Sequence, residues 1–417
     1  MKINKYFPFA LLFFFFNTAG LPHGLLYTSI LTPFFYIWIV RRTGTEPVLP
    51  FLLILTPYMI IHAVNGVDSK VYMVSLLNII CIYIFCVAFY VYLRSGARIE
   101  RIFSRLLYIN FFLCLVAIPF YFSSYSNLFW IEQVLTAGVK DFRRLNMFTY
   151  EASYYATLLV PLLFFYLSQI ILGINKIPLW RLLVMLIVPF VLSFSLGVIS
   201  AIIVSLTTVY LFYHRTLTKK KQVLVFLTGG SLLLLGFTLV LIIFFPNNTL
   251  FLRIHNISTG NDSSARGRTF EAFFLADMIN QLKSPLFGIG WGQVKITGMT
   301  IIRNYYNYPE DYAINIPNAS AETLAILGWS GLLLRILLEI ILFFRTRVWT
   351  NYYRLFLFLF IFLYQFTGSF ITNVAEYVIW ILAFTNVFPQ FDAISGRFNI
   401  PVPPPRQTIP ARQMHTI

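Results

Sequence analysis

Arg266 and Arg268 stand one residue apart in SSARGRTFEAF, just ahead of Phe270, Phe273, Phe274, Met278 and Leu282, which recur at helical spacing. Ser263 or Ser264 can cap such a helix, and its apolar face suits a position on a membrane surface. Both arginines then fall in or near the first turn, where free backbone N–H groups already attract an anion and a cation opposes the helix dipole. A negative partner is required. Two readings fit: the pair binds phosphate, or it neutralises lipid headgroups together with Asp262 and Glu271. Downstream, Gly288, Gly290 and Gly292 in SPLFGIGWG allow a tight turn and close approach to a ligand, or simply return the chain to the membrane. They lack the strand-turn-helix context of a nucleotide loop. Glu322 then opens an apolar run, where a carboxylate needs a partner or a wet cavity.

The elements that must hold these residues are membrane spans. Hydrophobic residues make up 59% of the 417-residue chain and charged residues 11%, too little polar surface to cover a soluble body. The sequence therefore predicts an all-α, polytopic membrane protein. Twelve segments are apolar enough to cross: 6–21, 25–40, 48–64, 71–93, 106–123, 154–174, 179–195, 197–213, 222–245, 320–344, 355–371 and 374–390. Residues 1–390 form one transmembrane domain with long loops at 124–153 and 246–318, and the proline-rich 391–417 reads as a disordered tail. The first apolar run is read as a retained span, since its removal as a leader would leave an odd number of crossings.

Charge sets the expected orientation. With both termini cytoplasmic, that face receives 20 of the 31 Lys and Arg residues, in short loops and the tails, and most of the rest lie in the two long loops. The net charge of +16 is thus a topology signal, and nucleic-acid binding is excluded because no basic soluble domain exists to carry it. Cys81, Cys86 and Cys114 all fall in expected spans and offer no disulfide framework. No His, Asp or Glu cluster has metal-site spacing, so neither metal nor cofactor is expected. His62 and His255 stand alone and read as structural.

The order of these blocks resembles the O-antigen polymerase and ligase superfamily of bacterial envelope proteins. The similarity rests on R-x-R before the amphipathic helix, then SPLFGIGWG, then Pro317-Asn318-x-x-x-Glu322 with GWSGLL following. Arg144 to Ala156 (RLNMFTYEASYYA) is similar to the R-x-x-G-x-x-x-E-P-S-x-x-A pattern of Wzy-type polymerases, with Met147 at the glycine and Ala152 at the proline. Ser193 to Gly197 resembles their S-x-S-x-x-G segment, one spacer shorter. Ligases usually carry histidine where this chain has Pro317.

The resemblance implies transfer of a growing glycan from undecaprenyl diphosphate to a hydroxyl of the next lipid-linked unit, on the periplasmic face of the inner membrane. Such a site must align two lipid-linked sugars, stabilise the departing diphosphate and take a proton from the acceptor. Arg143, Arg144, Arg266 and Arg268 suit the diphosphate, because guanidinium donors bind oxyanions bidentately and keep their charge. Glu151 is the first candidate base and Glu322 the second, ahead of Glu310 and Asp311; a structural ion pair between Glu151 and Arg144 is the competing reading. Asn318 and Trp291 join the substrate-binding set, and Trp291 with Tyr305, Tyr306, Tyr308 and Tyr312 either stacks on sugars or forms an interfacial belt. Membrane lipid, a flippase and a chain-length regulator are the partners implied. The alternatives are a ligase, or a lipid-linked oligosaccharide transporter for which Arg335 and Glu339, four apart in a span, would supply intramembrane charge.

Overall fold

The computed structural model describes residues 13–21, 25–95, 99–133, 142–217, 259–260, 263–307 and 315–392. Within them the protein is mostly helical. Five helices are long and apolar enough to cross a membrane: Ser69–Arg94 (α3), Ile99–Phe120 (α4), Ala152–Leu172 (α5), Leu196–Tyr213 within Leu196–Leu217 (α7), and Ala319–Thr346 (α10). Thr32–Thr43 (α1) and Val48–Val64 (α2), where the sequence predicts two spans, pass the same test only together and are bent by 119° at the break between them. Leu179–Ser193 (α6), Tyr352–Tyr364 (α11) and Val374–Phe384 (α12) are shorter apolar helices. The expected spans at 355–371 and 374–390 are thus cut back by a turn over 365–373 and by the early end of α12. Most of the span expected at 6–21, all of that at 222–245 and the tail from 393 lie outside the described residues.

The break between α6 and α7 falls at Phe194, whose φ of 47° is left-handed. Helix α5 is the central pillar, nearly all of its residues being buried inside the protein. It packs against α6, α7, α11 and α12, with Phe164 stacked on Phe356 at 5.0 Å. Since lipid is as apolar as leucine, such close aromatic and aliphatic packing, rather than exclusion from water, holds the helices together. The outer helices turn apolar side chains outward, among them Leu53, Met73, Leu77, Leu333 and Leu337.

Loops gather at the two ends of α10. At its C-terminal end, Arg354 donates to the Thr346 and Ala383 carbonyls, both at 2.8 Å, and Asn351 donates to Asp392 at 2.8 Å. Its N-terminal end meets the two loops that carry the singled-out residues. The first loop holds structure that an all-α reading omits: antiparallel strands Trp130–Gln133 (β1) and Phe142–Leu145 (β2), registered so that Ile131 faces Arg144 and Glu132 faces Arg143. The second holds Phe270–Asn280 (α8) and Met299–Tyr306 (α9).

The helix expected from Ser263 onward is interrupted. Ser263–Arg266 forms a single turn, then Arg268 and Thr269 bond back to Ala265 and Arg266 at 3.2 and 3.0 Å instead of extending the helix. Neither serine therefore caps α8, which starts after Thr269 with Glu271 in its first turn. Its Ala272, Leu275, Ala276 and Ile279 pack inward, and α10 is its main neighbour. Phe270, Phe274, Met278 and Leu282 form an outward apolar stripe, Phe270 being 89% exposed.

The glycine run acts on α10. This helix breaks at Gly328 (φ 69°, ψ −172°), which frees two carbonyls and two N–H groups inside an apolar setting. Residues 285–290 take all four: Ile289 and Gly290 donate to Ala325 and Ile326, while Trp329 and Ser330 donate to Pro285 and Leu286, each at 3.0 Å. Backbones approach so closely that a Cβ on Gly288 would strike Ile326, and one on Gly328 would strike Leu286. His62 completes the junction, its Nε2–H donating to the Phe287 carbonyl at 2.7 Å while Nδ1 lies 3.1 Å from the Tyr72 hydroxyl.

Candidate functional site

Glu151 sits at the N-cap of α5 in extended backbone (φ −150°, ψ 142°), yet its carboxylate accepts no bond from the first-turn amides. The preceding turn aims it elsewhere. Met147 takes a left-handed φ of 51°, Asn146 donates to the Thr149 carbonyl at 2.5 Å, and the Thr149 hydroxyl lies 2.6 Å from the Asn146 carbonyl and 2.9 Å from that of Glu151. The carboxylate faces Arg268, with Oε1 3.7 Å from Nη2. That separation is well beyond the 2.7–2.9 Å or so of a tight charge-assisted bond, so both groups keep capacity for another partner.

Asn318 fixes the other side of this pair. As the N-cap of α10 its Oδ1 accepts from the Ala321 N–H at 2.8 Å, and its Nδ2 donates to the carbonyls of Arg268 at 2.8 Å and Phe366 at 2.6 Å. Fully buried and fully bonded, Asn318 ties the Arg268 backbone to the start of α10 and presents nothing to a ligand. One turn later Glu322 accepts from the Ile371 N–H at 2.7 Å. Tyr150 feels the charge of both carboxylates. Its ring is partly exposed, and its hydroxyl is held well above the ordinary phenol range first by burial and then by Tyr154, Glu151, Tyr364 and Glu322. The hydroxyl therefore remains a proton donor throughout the physiological range.

The four arginines expected to share an anion do not converge. Arg143 and Arg144 point to opposite faces of β2 because side chains alternate along a strand. Arg143 bonds Glu132 at 2.6 Å and the Tyr121 carbonyl at 2.8 Å. Arg144 is buried and donates from Nε to the Ser193 carbonyl at 3.0 Å, meeting the negative end of α6. Arg266 is held by Glu271 at 2.7 Å, the pairing that competes with phosphate binding in the sequence, and Glu271 also accepts from the Tyr306 hydroxyl at 2.8 Å. Arg268 alone of the four has a described ion pair with a candidate base. Trp291 is only 4% exposed, so its face is closed to a sugar. Tyr308, Glu310, Asp311 and Tyr312 lie outside the described residues, as does His255.

Beside Tyr150 opens a cavity of about 420 Å³ lined by Thr18, Ala19, Asn127, Asn146, Phe148 and Tyr150, among others. No charged side chain among the described residues lines it. Among the described residues no group of three or more His, Cys, Asp or Glu side chains gathers as a metal site would require.

Below Glu322 lies a second polar cluster, of which the sequence reading identified half. Arg335 pairs with Glu339 at 3.3 Å as the spacing suggests, and also with Glu376 of α12. Gln365 and Glu376 were legible as polar residues inside apolar runs, the signal that marks intramembrane function or pairing. Comparison with protein-family models, with curated proteins and with solved structures returns no match.

Proposed function

We propose that this protein is an integral membrane glycosyltransferase of the Wzy polymerase type, which extends a glycan on undecaprenyl diphosphate by transferring it to a lipid-linked repeat unit. The observation that carries this reading is the meeting of Glu151, Arg268 and Asn318, from three sequence blocks far apart in the chain. Met147 supports it: at the place of the family's glycine, this chain keeps the left-handed backbone that glycine favours.

In this reading Arg268 takes the diphosphate of the donor. The arriving phosphate oxygens compete for the guanidinium and release the loosely held Glu151 carboxylate, which accepts the proton of the acceptor hydroxyl. The hydroxyl oxygen attacks the anomeric carbon, the bond from that carbon to the diphosphate oxygen breaks, and the diphosphate leaves with its electron pair. Arg143, Arg144 and Arg266 hold the loops rather than the anion. The cavity beside Tyr150 suits the acceptor sugars, with Phe148 and Tyr150 offering ring faces and Asn127 a polar edge; its volume falls within the usual range for small-molecule sites. The exposed stripe on α8 rests in the membrane interface. The end that carries Glu151 is periplasmic and both termini cytoplasmic, because the opposite end and the tails collect the basic residues. About twelve crossings of the bacterial inner membrane, a flippase and a chain-length regulator complete this picture.

Two observations favour transport of lipid-linked oligosaccharide instead. Arg335, Glu339 and Glu376 lie inside the apolar helices, and α10 is broken at Gly328, both features of transporter sites. The glycan banding of a deletion strain separates the readings. Polymerase predicts loss of the ladder with one repeat unit retained. Accumulation of single lipid-linked units on the cytoplasmic side would assign transport, and accumulation of finished lipid-linked polymer would assign a ligase.

A further inference from the structure

The turn over 365–373 is bonded upward to the candidate site and downward to the buried charges. On the upper side the carbonyls of Gln365 and Gly368 accept from the N–H groups of Ser320 and Ala319, both at 3.1 Å. The Phe366 carbonyl accepts from Asn318 at 2.6 Å, and the Ile371 N–H donates to Glu322 at 2.7 Å. The turn thereby holds the start of α10, the cap that pins Arg268, and the carboxylate of Glu322.

On the lower side the turn is gripped through side chains. Arg335 donates from Nε to Gln365 Oε1 at 2.8 Å and from Nη1 to Thr323 at 3.1 Å, while Gln365 Nε2 donates to Glu339 at 2.7 Å. Glu376, 1% exposed, receives Arg335 Nη2 on one oxygen and the Ser369 hydroxyl at 2.6 Å on the other. Asn373 donates to Ser369 at 2.9 Å and caps α12. Ser369 itself has a φ of 68°, a strained left-handed conformation for a residue with a side chain, which persists only where its surroundings impose it.

Buried ion pairs are weak evidence for stability, because removing two charges from water costs about as much as their attraction returns. Here every member also bonds the same turn. We infer that Arg335 and Glu376 are positioning residues for the site above them: they set the 365–373 turn, and through it the geometry of Glu322, Asn318 and Arg268. The catalytic half of this inference rests on the polymerase reading; the positional half does not.

Hydrogen exchange of the purified full-length protein, read peptide by peptide, separates the two. Glu376→Gln removes the charge, and Ser369→Ala removes only the hydroxyl, so the second variant carries the test if the first fails to accumulate in the membrane. Leu338→Ala, on the outward face of α10, is the control. In the positioning variants, amides in 318–322 and 366–373 should exchange about tenfold faster or more, with those of α5 unchanged. Turnover should fall about tenfold or more while KM for lipid-linked repeat units stays within about twofold, since the alignment of groups is lost and not substrate affinity. Unchanged exchange at 318–322 and 366–373 would overturn the inference, as would an equal rise throughout α5, which marks general loosening. If wild-type protein makes no polymer, the polymerase reading fails while the exchange data still decide whether the turn is positioned from below.

Discussion

Replacing Gly328 by alanine tests the junction between the glycine run and α10 with a single carbon atom. Two costs add. At φ 69° and ψ −172° the backbone lies in a region open essentially to glycine alone, which costs alanine about 1–3 kcal/mol. The new Cβ would also strike the Leu286 carbonyl and the Phe287 nitrogen, backbone atoms that cannot swing away, and over-packing of this kind costs about 1–3 kcal/mol. The expected loss is therefore about 2–6 kcal/mol. Gly44 combines a φ of 67° with a ψ of 10°, the milder left-handed helical region, and has nothing within 4 Å of a new Cβ, so Gly44→Ala should lose only about 1–2 kcal/mol. Gly197 has no positive φ, and its Cβ would make an ordinary 3.8 Å contact with Tyr364; in the first turn of α7 its replacement should be neutral to about 1 kcal/mol stabilising. The assay is the temperature at which each detergent-purified variant loses its monodisperse elution peak. The predicted order of melting is Gly328→Ala first, then Gly44→Ala, then wild type and Gly197→Ala. Equal behaviour of Gly328→Ala and Gly44→Ala would refute the close backbone contact between 285–290 and 325–330.

Three further outcomes follow from the site. Arg268→Lys keeps the charge but loses the bidentate fork, so polymer per molecule of membrane protein should drop about tenfold, whereas Arg143→Lys, facing Glu132 on the far side of the hairpin, should stay near wild type; equal loss in both would remove the distinction drawn between them. Ala19→Trp fills the cavity beside Tyr150 and should raise KM for the acceptor unit more than KM for the donor, measured with the two supplied separately; no change in either would vacate the cavity of its proposed role. Cysteines at Thr45 and Thr350 should be shielded from an impermeant thiol reagent in intact cells, and those at the exposed Tyr125 and Thr259 should label, the reverse pattern contradicting the proposed orientation.

How far the fold could be read in advance depended on whether a signal was local. Runs such as 71–93 and 154–174 announce their helices because a long apolar stretch needs no partner to be recognised. Asn318 likewise precedes its helix as a capping residue should. Shorter apolar runs were over-extended: 355–371 includes Gln365, Gly368 and Ser369, whose roles in a turn depend on Arg335 and Glu376 from other helices. The hairpin of β1 and β2 went unseen, since four-residue strands carry too few alternations to stand out.

The candidate site was legible in its ingredients and not in its pairing. Glu151, Arg268 and Asn318 each stand out in the sequence, but the ion-pair partner that the competing reading there gives Glu151 is Arg144, and the fold supplies Arg268 instead. Arg266 and Arg268 look equivalent two positions apart; the interruption of the helix at 267–269 sends one to Glu271 and the other to Glu151. The glycines presented the same ambiguity. Their spacing reveals that backbone must come close to something, and only the fold identifies that something as the broken turn of α10.

The central claim is that Glu151 takes the acceptor proton while Arg268 holds the diphosphate. Its most direct test is polymer formed per molecule of purified protein from lipid-linked repeat units, with wild type compared to Glu151→Gln at matched protein level. A general base contributes about 10²–10⁴-fold, so the variant, which keeps the shape of the side chain, should lose at least about a hundredfold in turnover while eluting and melting as wild type does. Near-normal turnover by Glu151→Gln would contradict the account and pass the role of base to Glu322.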